Sequence, residues 1–163
     1  MKLMQEDKRI SIQETYDDRF QHCWGCGPKN NQGIHIKSYP SDDGSSVICK
    51  VTPDQMYTGG VPDNLFGGMI AMIFDCHGTA SAAYFAHKNK GLELTEETVI
   101  ERFITARLEV DYKKPAPMNE EVTVVSVLEE LTERKAIVNM SMKVGNEIKA
   151  QARMIAVSVK DDM

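Results

Sequence analysis

With 163 residues, of which 42% are hydrophobic and 26% are charged, the chain has the size and composition of one globular domain. Its formal net charge of −5 argues against a general nucleic-acid binder, because such proteins need a basic surface to neutralise phosphates. Aromatic residues make up 7% of the chain, so the core has to be built mainly from Val, Ile, Met and Ala.

The sequence has no segment typical of membrane insertion. Residues 1–12 are charged and lack the apolar run of a signal peptide, and the most apolar stretch, residues 69–85, contains Asp75 and His77. We therefore expect no membrane partner and a cytoplasmic location. In that reducing compartment four residues should be free thiols: Cys23, Cys26, Cys49 and Cys76.

Residues 1–32 are predicted to form an irregular N-terminal leader, because turn-forming residues cluster at positions 25–28 and 30–33. Residues 33–163 form the predicted domain. Within it, apolar and polar residues alternate over positions 34–52 on both sides of a turn cluster. This pattern predicts a β-hairpin.

One long helix is predicted from about residue 65 to residue 87. Asp63 or Asn64 is placed to cap its first turn. The apolar residues cover most of the helix circumference instead of forming a narrow stripe. A helix of this kind is buried on all sides.

The rest of the chain is predicted to be β-structure, after a connection with a short helical turn near residues 95–102. An alternating strand then places four apolar residues on one face: Ile104, Ala106, Leu108 and Val110. Three further strands joined by short turns are predicted at residues 122–131, 135–144 and 147–159.

A hairpin, one buried helix and a run of antiparallel strands indicate an α+β fold. A flat sheet covers one side of a helix, whereas a strongly curved sheet, closed by a second copy of the chain, can bury it entirely. We therefore predict a hotdog fold, with one long central helix wrapped by a curved antiparallel sheet, in a chain that works as an oligomer.

Residues 59–77, GGVPDNLFGGMIAMIFDCH, resemble the signature of PaaI-like hotdog acyl-CoA thioesterases. In that signature a His-Gly-Gly at the helix start precedes an acidic residue two to three turns later. Here Gly67 and Gly68 supply the glycines and Asp75 supplies the acid, at the spacing that the family shows.

The resemblance extends over residues 23–159. Residues 106–115, ARLEVDYKKP, are similar to the family's central strand, and residues 23–28, CWGCGP, are similar to a leader in part of the family. This resemblance implies hydrolysis of an acyl-CoA substrate by a homodimer or homotetramer, with no cofactor and no metal. Two positions depart from the pattern: the family's His is Phe66 here, and an Asn that faces the thioester in some relatives falls on Gly60.

The predicted helix start suits thioester chemistry. Attack on a thioester carbonyl builds negative charge on oxygen, which the unpaired N–H groups and positive dipole end of a helix stabilise. Gly67 and Gly68 permit close approach to these groups, and the resemblance favours the Gly67 N–H as the oxyanion contact. The glycines could instead serve tight helix–strand packing.

Asp75 supplies a carboxylate that acts as nucleophile or as the base that activates water. A structural role is the alternative, but burying a carboxylate without a function is costly. By resemblance, Thr105 carries a hydroxyl that helps to hold the attacking water, although Thr is also an ordinary strand residue.

Asp75 and Gly67 cannot act together within one chain, because eight helical residues separate them by ~12 Å. If two copies place their helices antiparallel, Asp75 of one copy lies beside Gly67 of the other. The site is therefore predicted to be shared across a dimer interface, as in the family that the sequence resembles.

Asn64 and Phe66, next to the glycine pair, are predicted to contact the substrate. CoA carries phosphates, so the mouth of the site needs cations. The candidates lie at strand ends: Lys113, Lys114, Arg134 and Lys135. A solvated charged rim is the alternative for each of them.

Cys23 and Cys26 could form half of a zinc site, but no second pair stands at ligand spacing, and a structural zinc site needs four ligands. No metal is therefore predicted. Cys76 is predicted to be a small core residue, and His77 a core or interface histidine. His77 and Asp75 point to different helix faces and cannot form a dyad.

Two other functions remain open from the sequence. A non-enzymatic acyl-CoA-binding protein is favoured by Phe66 in place of His. A hotdog hydratase or dehydratase would use an acid and a His converging on one site, and no such His is evident. The sequence leaves open the acyl chain and the choice between dimer and tetramer.

Overall fold

The structure, a computed structural model, describes residues 8–159. Within them the chain forms one α-helix, α1 (Gly67–Asn89), and three short 3-10 helices at Ile12–Thr15, Asp18–Phe20 and Gln55–Tyr57. The strands are β1 (Ser38–Pro40), β2 (Ser46–Val51), β3 (Phe103–Tyr112), β4 (Val122–Leu131), β5 (Lys135–Val144) and β6 (Glu147–Ser158). The predictions for residues 1–7 and 160–163 lie outside the described residues.

The six strands of the described chain form one sheet in the order β1-β2-β4-β5-β6-β3, and every neighbouring pair is antiparallel. The sheet is curved and α1 packs on its concave face, in contact with each of the strands. This arrangement confirms the predicted α+β hotdog fold. Strand β3 lies at one edge of the sheet, so its outer edge pairs with no strand of the described chain.

The first turn of α1 has no side-chain cap. The N-cap residue is Phe66, whose side chain makes no capping hydrogen bond among the described residues, and Asp63 and Asn64 lie in the preceding loop. The predicted cap at Asp63 or Asn64 is therefore wrong. An uncapped start costs about 1 kcal/mol of helix stability, but it leaves the first N–H groups free for other partners.

Helix α1 is unevenly buried along its length. From Cys76 to Ala86 every residue is buried within the single chain, as its apolar circumference predicts. By contrast, Gly67, Gly68 and Asp75 are exposed, so the prediction of a helix buried on all sides is wrong at these positions. The cost of burying a carboxylate therefore does not apply to Asp75 within one chain. No helix in the described part of the chain has the length and apolarity needed to cross a membrane.

The leader packs against the middle of α1 and adds to its burial. Ile12, Tyr16 and Cys26 are buried in the same hydrophobic core as the helix. A capping box of Ser11 and Glu14 starts the first 3-10 helix. One sheet together with the leader therefore covers most of the helix, without a second copy of the chain.

Strand β3 contains a β-bulge that the sequence pattern did not predict. Its register against β6 shifts between Thr105 and Arg107, so that Ala106 is the extra residue. Before the bulge Thr105 contacts α1, and after it Tyr112 does. Because a bulge shifts the alternation by one residue, no single face carries the predicted set of Ile104, Ala106, Leu108 and Val110.

Two other local predictions have different outcomes. The predicted hairpin at residues 34–52 is confirmed as β1 and β2, although both strands are shorter than the pattern. The predicted helical turn at residues 95–102 is wrong. A turn with a hydrogen bond from Thr98 N to Thr95 O is followed by extended chain that bridges Ile100 to Tyr16.

Candidate functional site

Asp75 of α1 and Thr105 of β3 form a hydrogen-bonded pair beside the exposed side of the helix. The Thr105 hydroxyl donates to Asp75 Oδ1 at 2.5 Å. The bulge at Ala106 follows Thr105 directly and sets the strand's alternation so that this hydroxyl faces the helix. The structure therefore places a carboxylate at the surface with one oxygen held, although it belongs to the most buried element of the fold.

The first N–H groups of α1 are available at the same surface. Within the described chain, neither Gly67 N–H nor Gly68 N–H donates to a main-chain carbonyl, and both glycines are exposed. The Tyr112 hydroxyl donates to the Gly67 carbonyl at 3.0 Å and fixes the first turn to β3. These two N–H groups carry the positive end of the helix dipole and can accept a developing oxyanion.

The two glycines have different steric surroundings. A Cβ at Gly67 would lie 3.4 Å from the Tyr112 ring, which is ordinary contact. A Cβ at Gly68 would lie 2.2 Å from the ring of Phe66, which is 43% exposed and packs over the first turn. Packing therefore accounts for a glycine at 68 but not at 67, where a side chain would fit.

Asn64 and Gly60 lie in the loop that leads into the helix. The Asn64 carbonyl accepts a hydrogen bond from Gly59 N at 2.7 Å, and Asn64 forms a β-bridge with Pro117. Asn64 is half-buried. A Cβ at Gly60 would meet nothing within 4 Å. The loop is thus held by its main chain.

The four predicted cations separate into two pairs at opposite ends of the sheet. Lys113 and Lys114 follow the Tyr112 end of β3, where Lys114 pairs with Glu147 at 3.2 Å. Lys135 begins β5 beside the Phe103 end and lies 3.6 Å from Glu130, and Arg134 directly precedes it.

A surface cleft of about 1090 Å³ lies at the C-terminal end of α1. Arg134 lines it together with Arg19, Lys90 and Arg102, whereas neither Asp75 nor Gly67 does. These cations share the cleft with three acidic residues, Asp17, Glu101 and Glu133. The cleft is large enough for part of a nucleotide, and it lies at the end of the helix away from the free N–H groups.

His77 is a satisfied core histidine, as predicted. It is fully buried, with Nδ1 accepting from the Ser38 hydroxyl at 2.8 Å and Nε2 donating to the Val47 carbonyl at 3.1 Å. Burial lowers its pKa from 6.5 to about 4, so it is neutral at physiological pH. Both ring nitrogens are engaged, and His77 cannot serve as a catalytic acid or base for Asp75.

The structure brings together three thiols that the sequence pattern left apart. The Sγ atoms of Cys23, Cys26 and Cys76 all lie within 4.8 Å of one another. Cys76 is a buried core residue, as predicted, and its thiol also lies beside the Cys23–Cys26 pair. No spacing rule could have found it, because about 50 residues separate it from the Cys23–Cys26 pair.

Comparisons with solved structures agree with this architecture. A thioesterase superfamily protein from Shewanella loihica PV-4 is 31% identical, with 88% of this chain and 98% of that chain covered and a TM-score of 0.65. The E. coli PaaI protein from the phenylacetic acid degradation operon is 10% identical, with 78% and 81% covered and a TM-score of 0.61. Thioesterase superfamily member 2 from Mus musculus is 16% identical, with 75% and 80% covered and a TM-score of 0.57.

No protein-family model matches the sequence, and no curated protein matches it. The last two structures are similar in fold alone, whereas the first is similar in sequence over nearly its full length. The curved sheet, the single long helix and this similarity define a hotdog protein. The chain belongs to the thioesterase superfamily, as the PaaI-like signature predicts.

Proposed function

We propose that the protein hydrolyses acyl-CoA thioesters to the free acid and CoA, as a homodimer or a homotetramer of such dimers. The observation that carries the proposal is that the exposed Asp75, held by Thr105 of β3, lies on the same helix as the free N–H groups of Gly67 and Gly68. Thioester hydrolysis uses a carboxylate and an oxyanion-binding group, and α1 presents both at its exposed end.

The active site is proposed to be shared between two subunits. Asp75 lies ~12 Å along the helix from Gly67, so one chain cannot place both on one carbonyl. Strand β3 offers an unpaired edge of ten residues beside the exposed stretch of α1, and such edges are natural pairing surfaces. If two β3 edges pair antiparallel, Asp75 of the partner subunit approaches Gly67, and two equivalent sites result.

In this site the Gly67 N–H donates to the oxygen on which charge develops. In one route Asp75 removes a proton from an attacking water, the carbon–sulfur bond breaks as the tetrahedral intermediate collapses, and Asp75 returns the proton to the CoA thiolate. In the other route Asp75 attacks the carbonyl carbon and expels the CoA thiolate, which takes a proton from solvent, and water then hydrolyses the mixed anhydride to the free acid. Thr105 is a positioning residue. Its donated hydrogen bond fixes one carboxylate oxygen of Asp75 and leaves the other free to react.

The cations take the nucleotide end of CoA. Within one chain Lys113 and Lys114 lie far from Arg134 and Lys135, but antiparallel pairing of β3 places the Tyr112 end of one subunit near the Phe103 end of the other. Neither Arg134 nor Lys113 has an acidic partner at ion-pair distance among residues 8–159, whereas Lys114 and Lys135 have one. Arg134 also lines the cleft, so it is the strongest candidate of the four. Asn64 and Phe66 contact the acyl group beside the helix start.

The test is thiol release from a panel of acyl-CoA esters, followed with a chromogenic thiol reagent. Asp75→Asn should fold normally and reduce turnover by at least ~100-fold, the scale of losing a base or nucleophile. Asp42→Asn, in the exposed β1–β2 turn, makes the same charge change away from the site and should be unaffected. Near-native turnover by a folded Asp75→Asn protein would contradict the proposal.

A non-enzymatic acyl-CoA-binding protein is the second candidate, because Phe66 fills the place of the family's His with a ring that cannot donate or accept a hydrogen bond. Stoichiometric binding of acyl-CoA by calorimetry, with no thiol released from any substrate of the panel, would favour it.

We also propose a cytoplasmic location, a reducing compartment in which the four unpaired cysteines remain thiols.

A further inference from the structure

We propose that Cys23, Cys26 and Cys76 bind one Zn²⁺ ion through three thiolates, and that this ion fastens the leader to α1. The three Sγ atoms lie within 4.8 Å of one another, and those of Cys23 and Cys76 are 3.9 Å apart. Tetrahedral coordination at a Zn–S distance of ~2.3 Å separates sulfur ligands by about 3.8 Å. The thiols therefore need to move by no more than about 1 Å to surround the ion.

The chain around the first two thiols has the shape of a metal-binding turn. Gly27 N donates to the Cys23 carbonyl at 2.7 Å, which closes a tight turn over Cys23–Cys26. A Cβ at Gly25 would lie 2.5 Å from Cys76 Sγ, so glycine is what lets the turn rest on the helix. The third ligand thus comes from a rigid element in direct contact with the turn.

The thiols of the cluster are already in contact. The Sγ atoms of Cys23 and Cys76 lie at hydrogen-bond distance for sulfur, so one thiol can donate to the other. Metal ions bind thiolates and not thiols, so a bound cation would displace this shared proton.

The surroundings supply charge compensation and an open coordination position. Three thiolates and Zn²⁺ carry one net negative charge. Arg102 Nη1 and Tyr16 Oη are buried without a hydrogen-bond partner among the described residues, and the Arg102 guanidinium stacks on the Tyr16 ring at 4.5 Å. The Arg102 guanidinium interacts electrostatically with Cys26. Cys23 is exposed, so a water molecule can reach the fourth position.

Thiolate ligands also suit copper(I), but a four-coordinate site with one open position is typical of zinc. The place of the ion in the fold indicates a structural role, in which a water molecule supplies the fourth ligand that the sequence pattern lacks. It links the leader to the middle of α1, next to Asp75 in sequence, and cross-links two segments about 50 residues apart. The proposal does not depend on hydrolytic activity.

The test uses the whole protein, reduced and freed of metal, titrated with ZnCl2 against a chromogenic chelator and with CoCl2 by absorption spectroscopy. We expect one Zn²⁺ per chain, a thiolate-to-cobalt charge-transfer band for three sulfurs, and a higher melting temperature with zinc. Cys23 is exposed, so the Cys23→Ser protein is expected to fold. It should bind zinc at least about 100-fold more weakly, because it lacks one of the three thiolate ligands.

Cys49→Ser is the matched control, because Cys49 is buried in β2 outside the cluster. It should keep the full charge-transfer band and the full zinc affinity. Zinc binding at less than one ion per chain, or an unchanged cobalt spectrum in Cys23→Ser, would overturn the proposal. A Cys23–Cys26 disulfide that forms in air, with no zinc binding after its reduction, would do the same.

Discussion

Gly67→Pro removes the amide hydrogen of Gly67, which is the proposed hydrogen-bond donor to the oxyanion. Gly67 is the first residue of α1, the position at which proline is most readily accepted in a helix. Phe66 has φ −70° and ψ 146°, a conformation that a following proline favours. The fold therefore admits this substitution without strain at the helix start.

Gly67→Pro is expected to raise the stability of the fold and to lower kcat. Proline at a compatible position stabilises the fold by about 0.4–1 kcal/mol, because it restricts the unfolded chain. Loss of one oxyanion donor lowers kcat by about 100- to 1000-fold, or roughly 3–4 kcal/mol of transition-state stabilisation. The two are measured by thermal unfolding and by thiol release from a saturating acyl-CoA ester.

Gly67→Ala is the matched control, because its Cβ makes ordinary contact with the Tyr112 ring at 3.4 Å and its N–H remains. It should keep kcat within about tenfold of the wild-type value. A folded Gly67→Pro protein with wild-type kcat would refute the assignment of the oxyanion to this amide. Equal losses in both variants would indicate that the backbone N–H is not the cause.

Three further predictions concern Phe66, the cations and His77. Phe66→His should change kcat/KM by less than about tenfold, ~1.4 kcal/mol, because the proposed oxyanion contact is main-chain. Reversing the charges of Arg134 and Lys135 to Glu should weaken binding of CoA thioesters, measured by calorimetry, more than that of pantetheine thioesters, and added salt should reduce the effect. The pKa of His77 is lowered to about 4 in the folded chain, against 6.5 in the unfolded one. The contribution of His77 to the free energy of unfolding should therefore be constant above about pH 6.5 and fall by roughly 3 kcal/mol as the pH drops to about 4, and His77→Gln should flatten this part of the curve.

Each of these predictions has a contrary outcome. A gain of several orders of magnitude in Phe66→His would mean that the natural protein is closer to a binder than to an enzyme. An equal loss for both ligands would place Arg134 and Lys135 away from the nucleotide. Denaturant unfolding of His77→Gln with the wild-type dependence on pH would show that other groups control acid stability.

The type and order of the helix and strands could be predicted from the sequence, because hydrophobic periodicity and segment length determine them. An apolar helix followed by alternating segments permits few folds, and the Gly67–Asp75 spacing follows from helix geometry alone. The hairpin at 34–52, the buried second half of α1 and the satisfied state of His77 were predictable for the same reason. Local periodicity reports which face of an element is buried.

Features that depend on contacts across the fold could not be predicted in this way. The bulge at Ala106 arises from pairing with β6, and it reverses the faces that simple alternation assigns. The missing helix cap follows from the loop path, which leaves Asp63 and Asn64 away from the first turn. The third thiol of the cluster, Cys76, reaches Cys23 and Cys26 through packing of the leader on α1.

The most direct test of the shared site is the turnover of a purified heterodimer, isolated with two affinity tags, in which one subunit carries Gly67→Pro and the other carries Asp75→Asn. If each site takes Gly67 from one subunit and Asp75 from the other, one site of the heterodimer carries both changes and the second carries neither. The heterodimer should then have about half of the wild-type turnover, although both parent homodimers are inactive. Turnover no higher than that of the parents would show that Gly67 and Asp75 do not act together across the interface.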